Sequence, residues 1–129
     1  MSTSIAILTK HITTYHHARY TAAAKQFENC DVLDLTGDSD FPELLTNSKV
    51  AGYVHHWLFR GRSAYQSAVA SGDLSRVLIA MLNEIHPMAI AVSGWSSPES
   101  FIAIAWARKE DARVILLSES QETDSERDV

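Results

Sequence analysis

The sequence predicts an α/β domain of three layers with a mostly parallel sheet. Short apolar runs alternate along the chain with segments that have helical periodicity. Two of the later runs are continuously apolar, which is typical of parallel strands buried on both faces. The spacing between runs leaves room for a crossover helix, and this favours right-handed βαβ units.

In the amino-terminal part of the chain, one strand is predicted at residues 5–9 and a second at residues 32–35. Between them, residues 16–28 have the pattern of an amphipathic helix. Its apolar stripe is narrow and consists of Tyr20, Ala23, Ala24 and Phe27. A stripe of mostly small side chains lets such a helix pack closely on a sheet.

The segment after the second strand is less regular. Its glycine, aspartates and proline at residues 37–42 predict a turn, and one helical turn is predicted over residues 42–46. Residues 50–54 predict a third strand. The end of that strand is not defined, because histidine and aromatic residues follow it without a break.

The strongest helical pattern covers residues 73–85, with Asp73 as the predicted N-cap. Pro87 ends this helix, and residues 88–92 predict a strand buried on both faces. The apolar face of the helix carries Leu74, Val77, Leu78, Met81, Leu82 and Ile85.

A last helix is predicted over residues 98–110, with Ser97 as its N-cap and Pro98 at its first position. Residues 114–117 then predict another buried strand. The apolar stripe of the helix is predicted at Phe101, Ile104 and Ala105, with Glu99 and Glu110 outside it.

The length of 129 residues fits one domain, which is predicted to span residues 1–120. Residues 121–129 contain almost nothing apolar. We interpret them as an acidic tail or as the start of a linker to a second lobe.

The composition excludes several classes of protein. With 46% hydrophobic and 21% charged residues, the chain is expected to fold. Its net charge is −5 and its basic residues are scattered, so nucleic-acid binding is not predicted. The single Cys30 cannot form an intrachain disulfide and is predicted to be a buried thiol in a reducing compartment. Without a membrane-spanning run or a signal peptide, a cytoplasmic location is predicted, and a peripheral membrane contact stays open.

Ligands of open α/β sheets bind beyond the carboxyl ends of the strands, so the loops there are the candidate site. The loop after the first strand carries Lys10, His11, Tyr15 and His16. Near a helix amino terminus, these side chains suit an anionic or hydroxyl-rich ligand. The alternative is that they are solvated loop residues, with Thr14 as a cap.

The loop after residues 88–92 reads Ser93, Gly94, Trp95, Ser96. Gly94 is predicted to permit a tight turn. Trp95 offers an apolar plate on which a sugar can stack, and the alternative is a core or interface residue. Trp57 and Trp106 are predicted to be packing residues.

Several familiar chemistries lack their motifs. There is no G-x-G-x-x-G turn for a dinucleotide, no phosphate loop, no G-x-S-x-G elbow and no H-E-x-x-H zinc helix. The two pairs of adjacent histidines diverge in direction and lack a third ligand with matching spacing. We therefore predict no cofactor and no metal site.

Several of these segments resemble the amino-terminal half of GT-B glycosyltransferases of the family 4 type. They are IAILT at residues 5–9, YHHARY at 15–20, SGWS at 93–96, and VILLSES at 114–120 with Asp124 and Arg127. The resemblance covers nearly the whole chain, apart from residues 50–72. It implies a Rossmann-like domain that forms half of a two-lobed enzyme.

The resemblance also implies a function. Such an enzyme moves a sugar from a nucleotide-sugar donor to an acceptor hydroxyl, and the amino-terminal lobe mostly receives the acceptor. The donor would bind mainly to a carboxyl-terminal lobe that this chain lacks, so the isolated chain is expected to be inactive. His16 and Glu119 are alternatives for the base. Expected acceptor contacts are Lys10, His11, Tyr15, Ser93, Gly94, Trp95 and Ser96.

Two other functions remain as alternatives. The first is a self-contained, non-enzymatic α/β module that binds a ligand. The second is a flavodoxin-like regulatory domain, which is less favoured because the loop after the first strand carries basic rather than acidic residues.

Overall fold

The computed structural model describes residues 3–37, 49–50, 52–94 and 96–117. These residues form alternating strands and helices, as predicted. In chain order the elements are β1 (Ser4–Thr9), α1 (Thr14–Ala24), β2 (Asn29–Asp34), β3 (Lys49–Val50), β4 (Tyr53–Trp57), α2 (Arg62–Ser71), α3 (Asp73–Ile85), β5 (Ala89–Val92), α4 (Pro98–Glu110) and β6 (Arg113–Leu116).

The strands form one sheet in the order β3-β4-β2-β1-β5-β6. All neighbours pair in parallel except β3, which lies antiparallel to β4 at one edge. The five parallel strands thus follow the doubly wound, Rossmann-like order, with the first strand in the middle. The prediction of a mostly parallel sheet in an α/β domain is confirmed.

The two faces of the sheet bury different side chains of the same strands. In β1, Ile5 and Ile7 pack with Tyr20 of α1. Ala6 and Leu8 lie on the opposite face with side chains of α3 and α4. Because successive strand residues alternate between faces, a continuously apolar strand can form the middle layer of three.

Helix α1 begins two residues earlier than predicted, at Thr14, and is capped by Thr13 rather than Thr14. The Thr13 hydroxyl accepts from the backbone N–H of His16, and His16 Nδ1 accepts from the N–H of Thr13. This reciprocal capping box satisfies two backbone donors at the start of the helix. The helix ends at Ala24, and Phe27 still packs against the core from beyond its end.

Helix α2 was not predicted, because it carries too few apolar residues to produce a periodic signal. Its buried side chains are only Tyr65 and Ala68. Gly72 ends α2 with φ 88° and also serves as the N-cap of α3. Asp73 is therefore the first residue of α3, and its assignment as N-cap is wrong.

The predicted face of α4 is wrong. Phe101 is 63% exposed, whereas Glu99 is 3% exposed and Trp106 is 5% exposed. The helix is rotated because polar groups on its buried face, among them those of Glu99 and Trp106, find partners. The Trp106 indole donates to Asn83 Oδ1, and Glu99 contacts Lys10 and Tyr65. Trp106 is a packing residue, as predicted.

Two strand predictions also need correction. Residues 50–54 are not one strand, because the chain turns at Gly52 (φ 95°) between β3 and β4. Strand β6 is only half-buried, since it has a single strand neighbour, whereas β5 is buried throughout as predicted. The helical turn predicted at residues 42–46 lies outside the described residues.

None of the helices in the described part of the chain combines the length and the apolar character needed to cross a membrane.

The packing of α3 gives a first prediction. Leu78 is fully buried and its neighbour Ile79 is 38% exposed. Leu78→Ala should lower the free energy of unfolding by about 2–5 kcal/mol, because it leaves a cavity against the sheet. Ile79→Ala is the matched control and should cost less than about 1 kcal/mol. Urea titration followed by circular dichroism measures both, and equal losses would contradict the assigned face of α3.

Candidate functional site

The carboxyl ends of β1 and β5 meet in the middle of the sheet, where the chain crosses to opposite faces. Helix α1 follows β1 on one face, and α4 follows β5 on the other. The two loops diverge and leave an opening, the topological switch point of a doubly wound sheet. A cavity of about 210 Å³ lies there, which we name the switch-point cavity. Its lining residues are Thr9, Lys10, His11, His16 and Ser93.

Four of the residues predicted from the sequence meet in this cavity: Lys10, His11, His16 and Ser93. Tyr15 does not line it. The Tyr15 side chain is 43% exposed, and its ring and hydroxyl contact Arg19.

The other predicted residues fall elsewhere. Ser96 is exposed. Gly94 was predicted to permit a tight turn. Its φ is not left-handed, and a Cβ atom there would meet nothing within 4 Å, so the backbone at this position does not require glycine. Trp95 and Glu119 lie outside the described residues.

The capping box of α1 sets the protonation of His16. The N–H of Thr13 can only donate, so His16 Nδ1 accepts, at 3.3 Å. A neutral imidazole with an accepting Nδ1 carries its proton on Nε2. The ring also stacks on Tyr20 at a centroid distance of 6.1 Å. This geometry favours His16 as a hydrogen-bond donor rather than as a base.

A buried carboxylate on α4 anchors the loop after β1. The side chain of Glu99 is 4% exposed, and its Oε2 lies 3.5 Å from Nζ of Lys10. The hydroxyl of Tyr65 donates to the other oxygen of Glu99. Burial, reinforced by this hydrogen bond and by the charge of Glu99, raises the pKa of Tyr65. The side chain of Lys10 is still 45% exposed, so its ammonium group can face a ligand.

A second buried carboxylate, Asp34, anchors the loop after β2. Its Oδ1 accepts from the backbone N–H groups of Thr36 and Gly37, at 3.2 and 2.9 Å. Its Oδ2 lies 2.9 Å from His55 Nε2, and both side chains are fully buried. The Thr36 hydroxyl in turn donates to the carbonyl of Lys10 at 2.6 Å, so the two loops are linked.

The protonation of His55 follows from its surroundings. An ionised carboxylate only accepts, so Nε2 of His55 is the donor toward Asp34. Nδ1 of His55 is buried and has no hydrogen-bond partner. The contact therefore places a proton on Nε2 of His55, directed toward Asp34.

Arginines line the far end of this edge of the sheet. A cavity of about 570 Å³, which we name the arginine cavity, is lined by Thr36, Gly37, Trp57, Arg60, Gly61 and Arg62. The Arg60 guanidinium lies 4.6 Å from the centroid of the Trp57 ring. Trp57 is thus a packing residue, as predicted, but its partner is the Arg60 guanidinium at the carboxyl end of β4.

Gly37 is required where it stands. Its φ is 73°, and a Cβ atom there would lie 2.0 Å from Nε1 of Trp57. Only glycine fits this combination of a left-handed backbone and a close approach.

The two cavities belong to one groove. A third cavity of about 230 Å³, the middle cavity, lies between them. It shares Lys10 and His11 with the switch-point cavity, and Thr36 and Arg62 with the arginine cavity. Its remaining lining residues are Tyr65 and Gln66. The groove therefore runs along the carboxyl ends of β5, β1, β2 and β4.

The adjacent histidines serve separate contacts. His17 shares a hydrogen bond of 2.9 Å with the Tyr53 hydroxyl, and His56 Nε2 lies 2.7 Å from Asp31 Oδ1. Across residues 3–37, 49–50, 52–94 and 96–117, no three His, Cys, Asp or Glu side chains are grouped so as to hold a metal ion.

The chain is therefore a Rossmann-like α/β domain with a groove, the candidate ligand site, at the carboxyl edge of its sheet. Comparisons with protein-family models, with curated proteins and with solved structures give no significant match to the chain.

Sequence reasoning missed Glu99, Tyr65, Asp34 and His55. Glu99 follows Pro98 in the first turn of a helix, where an exposed acid is the ordinary reading. The Asp34–His55 contact joins two strands across 21 positions of sequence, and no local spacing indicates it.

The role of Asp34 can be tested against a neighbour on the same strand. Asp34→Ala should lower the free energy of unfolding by about 3–5 kcal/mol, because the backbone donors of the loop lose a buried acceptor. Asp31→Ala is the control. The Asp31–His56 pair is partly exposed, at 14% and 23%, so its loss should cost about 1 kcal/mol or less.

Chemical denaturation at pH 7 measures both variants. Equal losses would show that the Asp34 contact does not hold the loop.

Two buried acids predict a loss of stability at high pH. Burial, with a smaller contribution from Asp31, raises the pKa of Cys30 from 9.0 to about 12. Burial, together with smaller contributions from the nearby charges of Cys30 and Asp34, raises the pKa of Tyr53 from 10.0 to about 12. The unfolded chain loses these protons at lower pH than the folded chain, so stability should fall as pH rises from about 9 to about 12.

Chemical unfolding curves measured between about pH 9 and pH 12 test this predicted fall in stability. The double variant Cys30→Ala, Tyr53→Phe removes both groups and should reduce the dependence, while Tyr65, whose pKa is also raised, contributes to the slope that remains. An unchanged slope in the double variant would assign the alkaline loss to other groups.

Proposed function

We propose that this chain is the acceptor-side domain of a GT-B glycosyltransferase and binds an acceptor hydroxyl in the switch-point cavity. The nucleotide-sugar donor would be held mainly by a second lobe, and a cytoplasmic location goes with this proposal. The observation that carries it is the convergence of Lys10, His11, His16 and Ser93, from two separate loops, on one cavity. The resemblance of residues 15–20 and 93–96 to the family is the second support.

The chemistry of the cavity suits a ligand rich in oxygen atoms. Nε2–H of His16 and the ammonium group on the half-exposed side chain of Lys10 are donors, and the Ser93 hydroxyl both donates and accepts. Sites for such ligands commonly combine a few convergent polar groups with a largely pre-formed concave surface. Glu99 and Thr36 support the position of Lys10, so its donor is held before the ligand arrives.

In the proposed reaction, the acceptor oxygen bonds to the anomeric carbon of the donor sugar. The bond from that carbon to the nucleotide diphosphate breaks, the diphosphate leaves with the electron pair, and the acceptor hydroxyl loses its proton to a base. The protonation of His16 supports a donor role toward the acceptor. Glu119 is thereby left as the proposed base, which requires hydrogen-bond reach to the hydroxyl.

A non-enzymatic binding module would use the same groove. The two functions differ in turnover and not in the location of the bound ligand. No feature of the described residues favours the module over the transferase, so the transferase is the function we propose.

Binding of neutral sugars tests the proposal directly. In the isotope-labelled 129-residue chain, a panel of methyl glycosides should include members that shift the backbone amide signals of residues 9–11 and 93. Lys10→Met should weaken that binding about tenfold, because it removes a charged hydrogen-bond donor. Lys25→Met is the matched control, since Lys25 is exposed at the end of α1, and it should have no effect.

The same chain should not release nucleotide diphosphate from nucleotide sugars. Steady turnover by the chain alone, or the absence of any glycoside binding at these residues, would overturn the proposal.

A further inference from the structure

The arginine cavity is the part of the groove that the proposed function leaves unexplained. It is the largest of the three cavities, at about 570 Å³, and it lies at the end away from Ser93. A hydroxyl needs no such site. Two exposed guanidinium groups, Arg60 and Arg62, line it beside the small residues Thr36, Gly37 and Gly61.

The geometry of Arg60 is that of an oriented donor. Its Cζ atom lies over the Trp57 ring, 4.6 Å from the ring centroid. Gly37 packs against the same ring near Nε1. A guanidinium group over an aromatic ring is attracted to the ring face and still has N–H groups that can donate to a ligand. A planar fork of this kind matches the paired oxygens of a phosphate better than a single hydroxyl.

The electrostatics of the groove favour an anion. None of the described residues that line the arginine cavity or the middle cavity carries a carboxylate. The two carboxylates that lie behind the groove are buried and engaged, Asp34 with backbone N–H groups and His55, and Glu99 with Lys10 and Tyr65. Among the described residues, the charged side chains that line these two cavities are therefore all basic, namely Lys10, Arg60 and Arg62, on a chain whose net charge is −5.

We propose that the acceptor carries a phosphate group and that the arginine cavity binds this group. This inference rests on the proposed function and names the class of acceptor. The reacting hydroxyl would lie in the switch-point cavity, and the body of the acceptor would cross the middle cavity past Thr36 and Arg62. The phosphate is held only by this chain's own side chains and does not change in the reaction.

Inorganic phosphate is the first probe. It is titrated into the isotope-labelled 129-residue chain at constant ionic strength, with chloride replaced as phosphate is added, so that general screening does not change. Saturable shifts are expected at the amides of residues 36–37 and 60–62. Chloride alone producing the same shifts, or phosphate shifts located elsewhere, would overturn the proposal.

Three variants test the assignment to the arginines. Arg60→Gln should weaken phosphate binding about tenfold, because a charge-assisted hydrogen bond is lost. Arg60→Lys keeps the charge without the planar fork and should give an intermediate loss. Arg108→Gln makes the same change of net charge at an exposed position on α4, and it should leave the affinity within about twofold. If Arg108→Gln weakened phosphate binding as much as Arg60→Gln, the effect would come from net charge alone and the assignment to the arginine cavity would be wrong.

Two further ligands separate the sources of the phosphate. Glycerol 3-phosphate is a soluble phosphomonoester, and vesicles of phosphatidylcholine with phosphatidic acid present the same group on a membrane. Binding of either that is lost in Arg60→Gln supports the proposal and identifies its source. Binding of neither ligand would contradict it.

The glycoside titration keeps the two hypotheses distinguishable. Glycoside binding at residues 9–11 without phosphate binding would retain the proposed function and reject the phosphorylated acceptor. Phosphate binding without glycoside binding would retain the anion site and reject the acceptor-side function.

Discussion

Asp34 has no exposed surface, yet it stands at the carboxyl end of a central strand, where a loop must begin. A buried carboxylate must be surrounded by donors, and here they are two backbone N–H groups of the following loop and His55 on the neighbouring strand. The need to satisfy this carboxylate fixes the backbone path of Thr36 and Gly37. The position of Gly37 in turn sets its contact with Trp57, and the hydroxyl of Thr36 holds the loop of Lys10.

Glu99 has a comparable role on the other side of β1. It stands on the first turn of α4, and its two oxygens hold Lys10 and Tyr65. Both buried acids therefore position the loops that border the groove, while the cationic side chains stay at the surface. This arrangement keeps carboxylates out of the described lining of the middle cavity and the arginine cavity, although the chain has a net charge of −5.

The alternation of strands and helices, the parallel sheet and the buried strand β5 could be predicted from the sequence, because continuous apolar runs and helical periodicity are local properties. The location of Lys10, His11, His16 and Ser93 on one edge followed from the rule that parallel strands end on the same side. The face of α4 could not be predicted in this way. A rotation that exposes Phe101 and buries Glu99 becomes favourable only when Lys10 and Tyr65 supply partners.

The sequence by itself therefore determined the class of fold and the edge of the sheet on which the candidate loops lie, because both depend on patterns within one element or between neighbours in the chain. Only the tertiary structure decided which polar groups are buried and which remain available. The physical reason is that burying a charge is unfavourable unless partners are already in place, and those partners come from distant positions, as His55 does for Asp34. For the same reason, the basic groove from Lys10 to Arg60 appears only after folding.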